Sequence, residues 1–313
     1  MSNNFIATML MLASTLSLSL TGVFAKFLSE EMSTQLHAFI RFILPALVLI
    51  LPMVLNRISL PQAGMWRTLM IRAACLASCQ VCFIHAIGEL TLVESIVLFS
   101  TGPLFMPVLE KVIFGNQVKA VTLGCLFLTF VGVLFLAGDV RTVELKPELL
   151  LGLLAGVFNA GSQVSLFRAS QYQLSSVAIN FWCFLIAAVL MSPMLMILEL
   201  PSGDSLLLDF PFEHSFIWIM AFTMTLMIIN TQLCRSKAYR LVSSGSALAP
   251  LIYTNLVFSL IWQWLLFDET LTPQKYLGLA IIVSATLINT FWGKLSFRFQ
   301  LNVNNNSPVE KRQ

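Results

Sequence analysis

Charge is what this chain lacks most. Only 11% of its 313 residues are charged, against about 25% in an average soluble domain. Hydrophobic residues make up 58%, and the mean hydropathy is +0.85. A soluble globule of this composition would have to leave many apolar side chains on its surface. The shortage therefore excludes a soluble enzyme, a nucleic-acid binder and a disordered chain, and makes the lipid bilayer an obligatory partner. A net charge of +3 is too small to recruit nucleic acid. Histidine is scarce, at three residues, and neither HExxH nor GxSxG occurs. An intramembrane protease or metalloenzyme thus has no basis in the sequence, and no catalytic residue, cofactor or metal is expected. A basic leader is missing as well: Met1-Ser2-Asn3-Asn4 has no Lys or Arg and no small-residue cleavage site follows. The first apolar run is read as a retained helix rather than a signal peptide.

Carboxylates are absent from the middle of every apolar run. The nearest, Glu110, lies about 10 Å from the centre of its run and is followed by Lys111. Proton coupling through a central carboxylate is disfavoured, which leaves exchange, facilitated diffusion or coupling through His85. Outer-loop cysteines are lacking too. Cys75, Cys79, Cys82, Cys125, Cys183 and Cys234 all fall in or at the ends of apolar runs. They read as small packing residues, not as a disulfide framework.

Long apolar runs are what the chain does have. A spanning helix needs about 20 mostly apolar residues. Ten stretches qualify: 5–27, 36–55, 70–89, 92–113, 118–137, 150–170, 176–198, 215–236, 244–266 and 273–292. The loops between them are short, and the longest, 199–214, carries Pro201, Gly203, Asp204, Asp209 and Pro211. With the N-terminus inside, 13 of the 18 Lys and Arg residues fall on the cytoplasmic side, Arg72 and Arg235 among them. Both termini are then cytoplasmic, and residues 294–313 form a polar cytoplasmic tail.

The two halves of the chain resemble each other. Thr21-Gly22-Val23-Phe24-Ala25 is similar to Ala155-Gly156-Val157-Phe158-Asn159. Ala38-Phe39-Ile40-Arg41-Phe42 is similar to Ala178-Ile179-Asn180-Phe181, which sets Arg41 against Asn180. Ala86 falls against Ala238, Gly102-Pro103-Leu104 against Thr254-Asn255-Leu256, and Phe114-Gly115-Asn116 against Phe267-Asp268-Glu269. Five helices per half is an odd number, so the second half enters the membrane from the opposite side. The halves are then inverted about a pseudo-two-fold axis in the membrane plane, a design suited to alternating access.

These residues resemble a known family. Lys26, Arg41-Phe42, Arg72, Ala86 and Pro103 in the first half fit the pattern. So does Leu266-Phe267-Asp268-Glu269-Thr270-Leu271-Thr272, followed by Gly278, in the second. On them the chain is identified as a ten-helix, EamA-type member of the drug/metabolite transporter superfamily. Residues 5–137 are the first repeat and 150–293 the second. Asn116 and Asn255 depart from the pattern, which usually has Glu and Pro there. The resemblance implies an all-α carrier of the cell inner membrane for a small molecule, acting as a monomer or homodimer. It leaves open the direction of transport, with an S-adenosylmethionine-like cofactor uptake carrier or a drug or amino-acid exporter as alternatives; a non-transporting membrane subunit or an intramembrane enzyme is the alternative of a different class.

Polar groups deep in a bilayer are costly and face a cavity or a partner helix. On depth alone the candidate substrate-binding residues are Gln80, Asn159, Gln163, Asn230, Tyr253 and Asn255. His85 joins them from the outer half of the third run. Arg41 lies about two turns inside its run. Its guanidinium either grips a carboxylate or phosphate on the substrate or serves the fold, by snorkelling or by pairing with an acid such as Glu94. The structural role is the one expected.

Overall fold

The computed structural model describes residues 3–55, 59–102, 104–106, 108–109, 120–136, 147–199, 215–241, 249–252, 254–267, 272–274, 276–285 and 287–288. The loop 200–214, the tail 294–313, Glu110, Lys111, Asn116, Pro103, Pro107 and Tyr253 lie outside them. Among the described residues all regular structure is helical. The elements are α1 (Asn3–Glu31), α2 (Thr34–Leu55), α3 (Trp66–Glu89), α4 (Leu92–Phe99), α5 (Ala120–Leu136), α6 (Pro147–Ser170), α7 (Ser176–Glu199), α8 (Ser215–Arg240), α9 (Thr254–Leu266) and α10 (Tyr276–Ala285). A helical turn, Ala249–Ile252, precedes α9. Six of these helices, α1, α2, α3, α6, α7 and α8, are long and apolar enough to cross a membrane.

Several boundaries differ from the sequence expectation, those of α1 and α3 among them. α1 runs on to Glu31, since neither Gly nor Pro occurs from Phe27 to Glu31, and Ser33 then caps α2 by accepting the Leu36 N–H at 3.3 Å. α3 begins at Trp66 instead of 70, directly after a short 3-10 turn at Ala63–Met65. At the start of α4, Thr91 and Glu94 form a capping box. The Thr91 hydroxyl accepts the Glu94 N–H at 3.2 Å, and the Glu94 carboxylate accepts the Thr91 N–H at 3.0 Å.

The bundle is apolar outside and polar within. On α8, Phe216, Ile219, Phe222 and Leu226 are exposed, whereas Thr225, Thr231, Arg235 and Ser236 on the same helix are buried. A soluble protein sorts its residues the other way; here the outer stripe faces lipid. Inside, helices approach closely through small residues. A Cβ added at Gly156 of α6 would stand 2.8 Å from the Leu98 carbonyl oxygen of α4, so only glycine permits that contact. Hydroxyls join α1 to the second half: Ser14 donates to the Thr231 carbonyl at 3.0 Å, and Thr15 and Thr254 share a hydrogen bond at 2.7 Å.

Helix partners follow a two-fold pattern. α1 packs on α8 and α9, while α6 packs on α3 and α4; α2 and α7 pack on each other. Exchanging each helix for the one five places later leaves this map unchanged. The internal similarity of the sequence thus reappears as a symmetry of contacts.

Candidate functional site

Leu18, near the middle of α1, is the hub of three adjoining cavities. The first, with about 40 Å³ of free space, is lined by Arg41, Gln80, Phe184 and Gln232 among others. The second, with about 20 Å³, shares Arg41 and Gln80 and adds Phe83 and Asn255. The third, with about 10 Å³, is lined by Asn159, Gln163, Arg235 and Asn255. Together they form a polar centre to which both halves of the chain contribute.

Five of the eight residues expected from sequence meet there: Arg41, Gln80, Asn159, Gln163 and Asn255. Gln163 donates to Asn159 at 3.2 Å, and the Tyr239 hydroxyl donates to Gln163 at 3.4 Å. The side-chain amide oxygen of Asn255 is buried without a hydrogen-bond partner among the described residues, as is that of Gln80. Arg41 is 5% exposed, its Nη1 has no partner, and it makes no ion pair with Glu94. The remaining three do not join this cluster. Asn230 is exposed and spends its amide on Ser17 of α1, at 2.7 Å. His85 is exposed on α3 and lines none of the three cavities. Tyr253 lies outside the described residues.

Four further residues line or adjoin this centre. Arg72 is completely buried, and its Nη2 donates to Asn180 of α7 at 3.0 Å and to Gln232 of α8 at 3.1 Å. Asn180 is fixed in turn, donating to the Ser176 carbonyl at 2.8 Å and to Ser236 at 3.2 Å. Arg235 is 2% exposed, and both its Nε and Nη2 lack partners among the described residues. Gln232 lines the first cavity opposite Gln80.

The sequence held a signal for Gln232. With Ala86 set against Ala238, Ser78-Cys79-Gln80-Val81-Cys82 falls on Asn230-Thr231-Gln232-Leu233-Cys234. Gln80 and Gln232 are therefore repeat partners, and they face one cavity. Arg72 and Arg235 had no such signal. Counting basic residues places both with the cytoplasmic loops, but the folded chain buries both guanidinium groups.

An apolar-surfaced helical bundle with a polar centre drawn from both halves defines a membrane transporter. Comparison with known proteins makes this specific. The profile of the EamA-like transporter family matches residues 5–138 and again 146–291. The chain belongs to that family. It is 23% identical over 287 residues to an uncharacterized transporter of Helicobacter pylori strain 26695, covering 91% of this chain and 94% of the relative. It is 21% identical over 264 residues to the pseudopaline exporter CntI of Pseudomonas aeruginosa strain PAO1, covering 83% and 88%. A solved crystal structure superposes with a TM-score of 0.58 at 14% identity, over 93% of this chain and 96% of its own, which speaks to the fold.

Proposed function

We propose that the chain is an inner-membrane secondary transporter that moves a small polar or amphiphilic metabolite by alternating access. In this reading it has ten spanning helices in two inverted five-helix repeats, with both termini cytoplasmic. The observation that carries it is the polar centre around Leu18, lined by Arg41 and Gln80 from one repeat and by Asn159, Gln163 and Asn255 from the other. A site between repeats is where rocking of one bundle against the other changes access from side to side. The two-fold pattern of helix partners supports such rocking. Export is the direction favoured by the kinship with the pseudopaline exporter. The candidate contacts are Arg41, Gln80, Asn159, Gln163 and Asn255; Asn230 and His85 take no part.

The test is a flux screen of labelled metabolites in proteoliposomes, with and without a pH gradient. Saturable flux of a small set of compounds supports the reading. Absence of flux for every compound, from protein shown to be folded, overturns it. Topology is read separately, by labelling single cysteines at Ser205 and Ser307 on intact cells with an impermeant thiol reagent. Labelling at Ser205 alone is expected; labelling at Ser307 alone reverses the orientation.

A further inference from the structure

We infer that the transported compound is a small organic anion, held through a carboxylate or phosphate by Arg235 and Arg41. This rests on the transporter reading above and adds the substrate's chemistry to it.

Buried cations need compensation, and among the described residues no acid supplies it to these two. Neither Arg41 nor Arg235 is ion-paired among the described residues. Each lines a cavity at the centre of the bundle. The pattern of free donors on Arg235 is specific. Nε and Nη2 form one edge of the guanidinium, and both are unpartnered. That edge is the one that gives two parallel hydrogen bonds to a carboxylate or phosphate. A lysine offers no such fork.

The repeat supplies a second, independent argument. The register that sets Gln80 on Gln232 sets Phe83 on Arg235. Phe83 lines the second cavity and Arg235 the third. At one end the fold fills this position with a phenyl ring, so the position itself does not demand a cation. The charge at the other end is an addition to the scaffold, and it lines the third cavity. Arg72 is different. Its Nε and Nη1 also lack partners among the described residues, but it lines none of the three cavities; its Nη2 bonds two amide oxygens, and its part is to position Gln232 on the cavity wall.

Neutral groups complete the description. The side-chain amide oxygen of Asn255, unpartnered among the described residues, belongs to a residue on the same cavity as Arg235. It calls for an N–H or O–H on the ligand. The substrate class is therefore an acid that also carries an amine or a hydroxyl.

The full-length protein in nanodiscs of neutral phosphatidylcholine provides the test. Melting temperature is followed with hydroxy- and amino-carboxylates (malate, citrate, glutamate), with phosphates (inorganic phosphate, glycerol phosphate) and with the uncharged amide glutamine. In parallel, phenylglyoxal modification of Arg41 and Arg235 is read by mass spectrometry with the same compounds present. One acid class should raise the melting temperature saturably and slow modification of both arginines, and glutamine should do neither. Whichever class acts separates carboxylate from phosphate; protection by added anionic lipid alone would mark a lipid site and overturn the substrate assignment. Arg235→Gln should weaken the effective acid at least tenfold, and Arg235→Lys should restore only part of that. Equal stabilisation by all salts, or phenylglyoxal rates unchanged by every acid, overturns the inference even if a variant misfolds. Flux of a neutral or cationic compound unaffected by Arg235→Gln refutes the anion site and leaves the transporter reading intact. Saturable acid binding without flux of any compound does the reverse.

Discussion

Arg41 and Arg72 sit on neighbouring helices of the same repeat, and both are buried in the bundle. Arg72 is held by Asn180 and Gln232, which come from the other repeat. Arg41 stands beside Gln80 on a cavity wall and has an Nη1 without a partner. The repeat register pairs Arg41 with Asn180 and Gln80 with Gln232. Each half thus builds the same corner from a residue of its second helix and a glutamine of its third. One corner supplies its own guanidinium. The other has an asparagine there, and Arg72 crosses from the opposite repeat to fill the gap. Charge is placed at both corners, by unlike residues, and only one of the two is spent on the fold.

The sharpest way to break that comparison is to remove Arg72. Arg72→Ala strands two buried amide oxygens and unties α3 from α7 and α8. A hydrogen bond from a charged donor contributes about 1.5–3 kcal/mol in soluble proteins, and interhelical bonds in membranes are weaker, averaging about 0.6 kcal/mol. Thermal or denaturant unfolding in mild detergent should therefore show a loss of about 2–4 kcal/mol for the pair of bonds and the stranded amides. A double-mutant cycle with Gln232→Ala should give a coupling of about 0.5–3 kcal/mol. A fully stable Arg72→Ala protein would show that Arg72, like Arg41, is free for a ligand.

The second test exchanges the readout. Arg41→Lys keeps the charge and loses the planar fork. Its melting temperature should stay close to that of the unaltered protein, while affinity for the transported compound falls by about 1.5–3 kcal/mol. Unchanged affinity with a lowered melting temperature would return Arg41 to the structural role that the sequence alone favoured. That expectation named Glu94 as a partner. The structure commits Glu94 to the capping box with Thr91, and no ion pair joins it to Arg41.

How far the sequence reached follows from what hydropathy encodes. Apolar runs reveal which segments are helices, because lipid leaves few alternatives for a backbone. Ordered resemblances between halves reveal the repeat. Depth along a run finds Gln80, Asn159, Gln163 and Asn255, since polar groups at mid-span must face inward. Depth says nothing about direction, so Asn230 was grouped with them although it binds Ser17 on α1. Charges near helix ends are the hardest to read. Arg235, Lys237 and Arg240 look like one basic cluster, yet about 100° per residue separates successive side chains on a helix. Arg235 is buried, whereas Lys237 and Arg240 are exposed. Arg72 was read as a boundary charge because the start of α3 was set at 70 rather than at Trp66.

A smaller effect sharpens the comparison at the two glutamines. Gln232→Ala removes an acceptor of Arg72 and should cost about 1 kcal/mol of stability. Gln80 has no partner for its carbonyl oxygen, so Gln80→Ala should leave stability within about 0.5 kcal/mol. Both line the first cavity, and both variants should lower transport. Equal stability losses for the two would mean that the corners are built alike.

His85 completes the set as the residue expected to do least. It lies on α3, the helix that also carries Arg72 and Gln80, so it tests whether polarity on that helix matters by itself or only when directed inward. Its side chain is exposed and lines none of the three cavities. A proton relay needs a path to the substrate or to a group that touches it, and no hydrogen bond joins His85 to the polar centre among the described residues. His85→Gln keeps the polarity of the side chain and removes the imidazole ring that a proton relay would use. Transport rate, apparent affinity and the pH profile of flux should all match the unaltered protein. A pH profile that flattens in His85→Gln, with the rate at its optimum preserved, would assign proton coupling to the outer face of α3 and place function outside the Leu18 cavities.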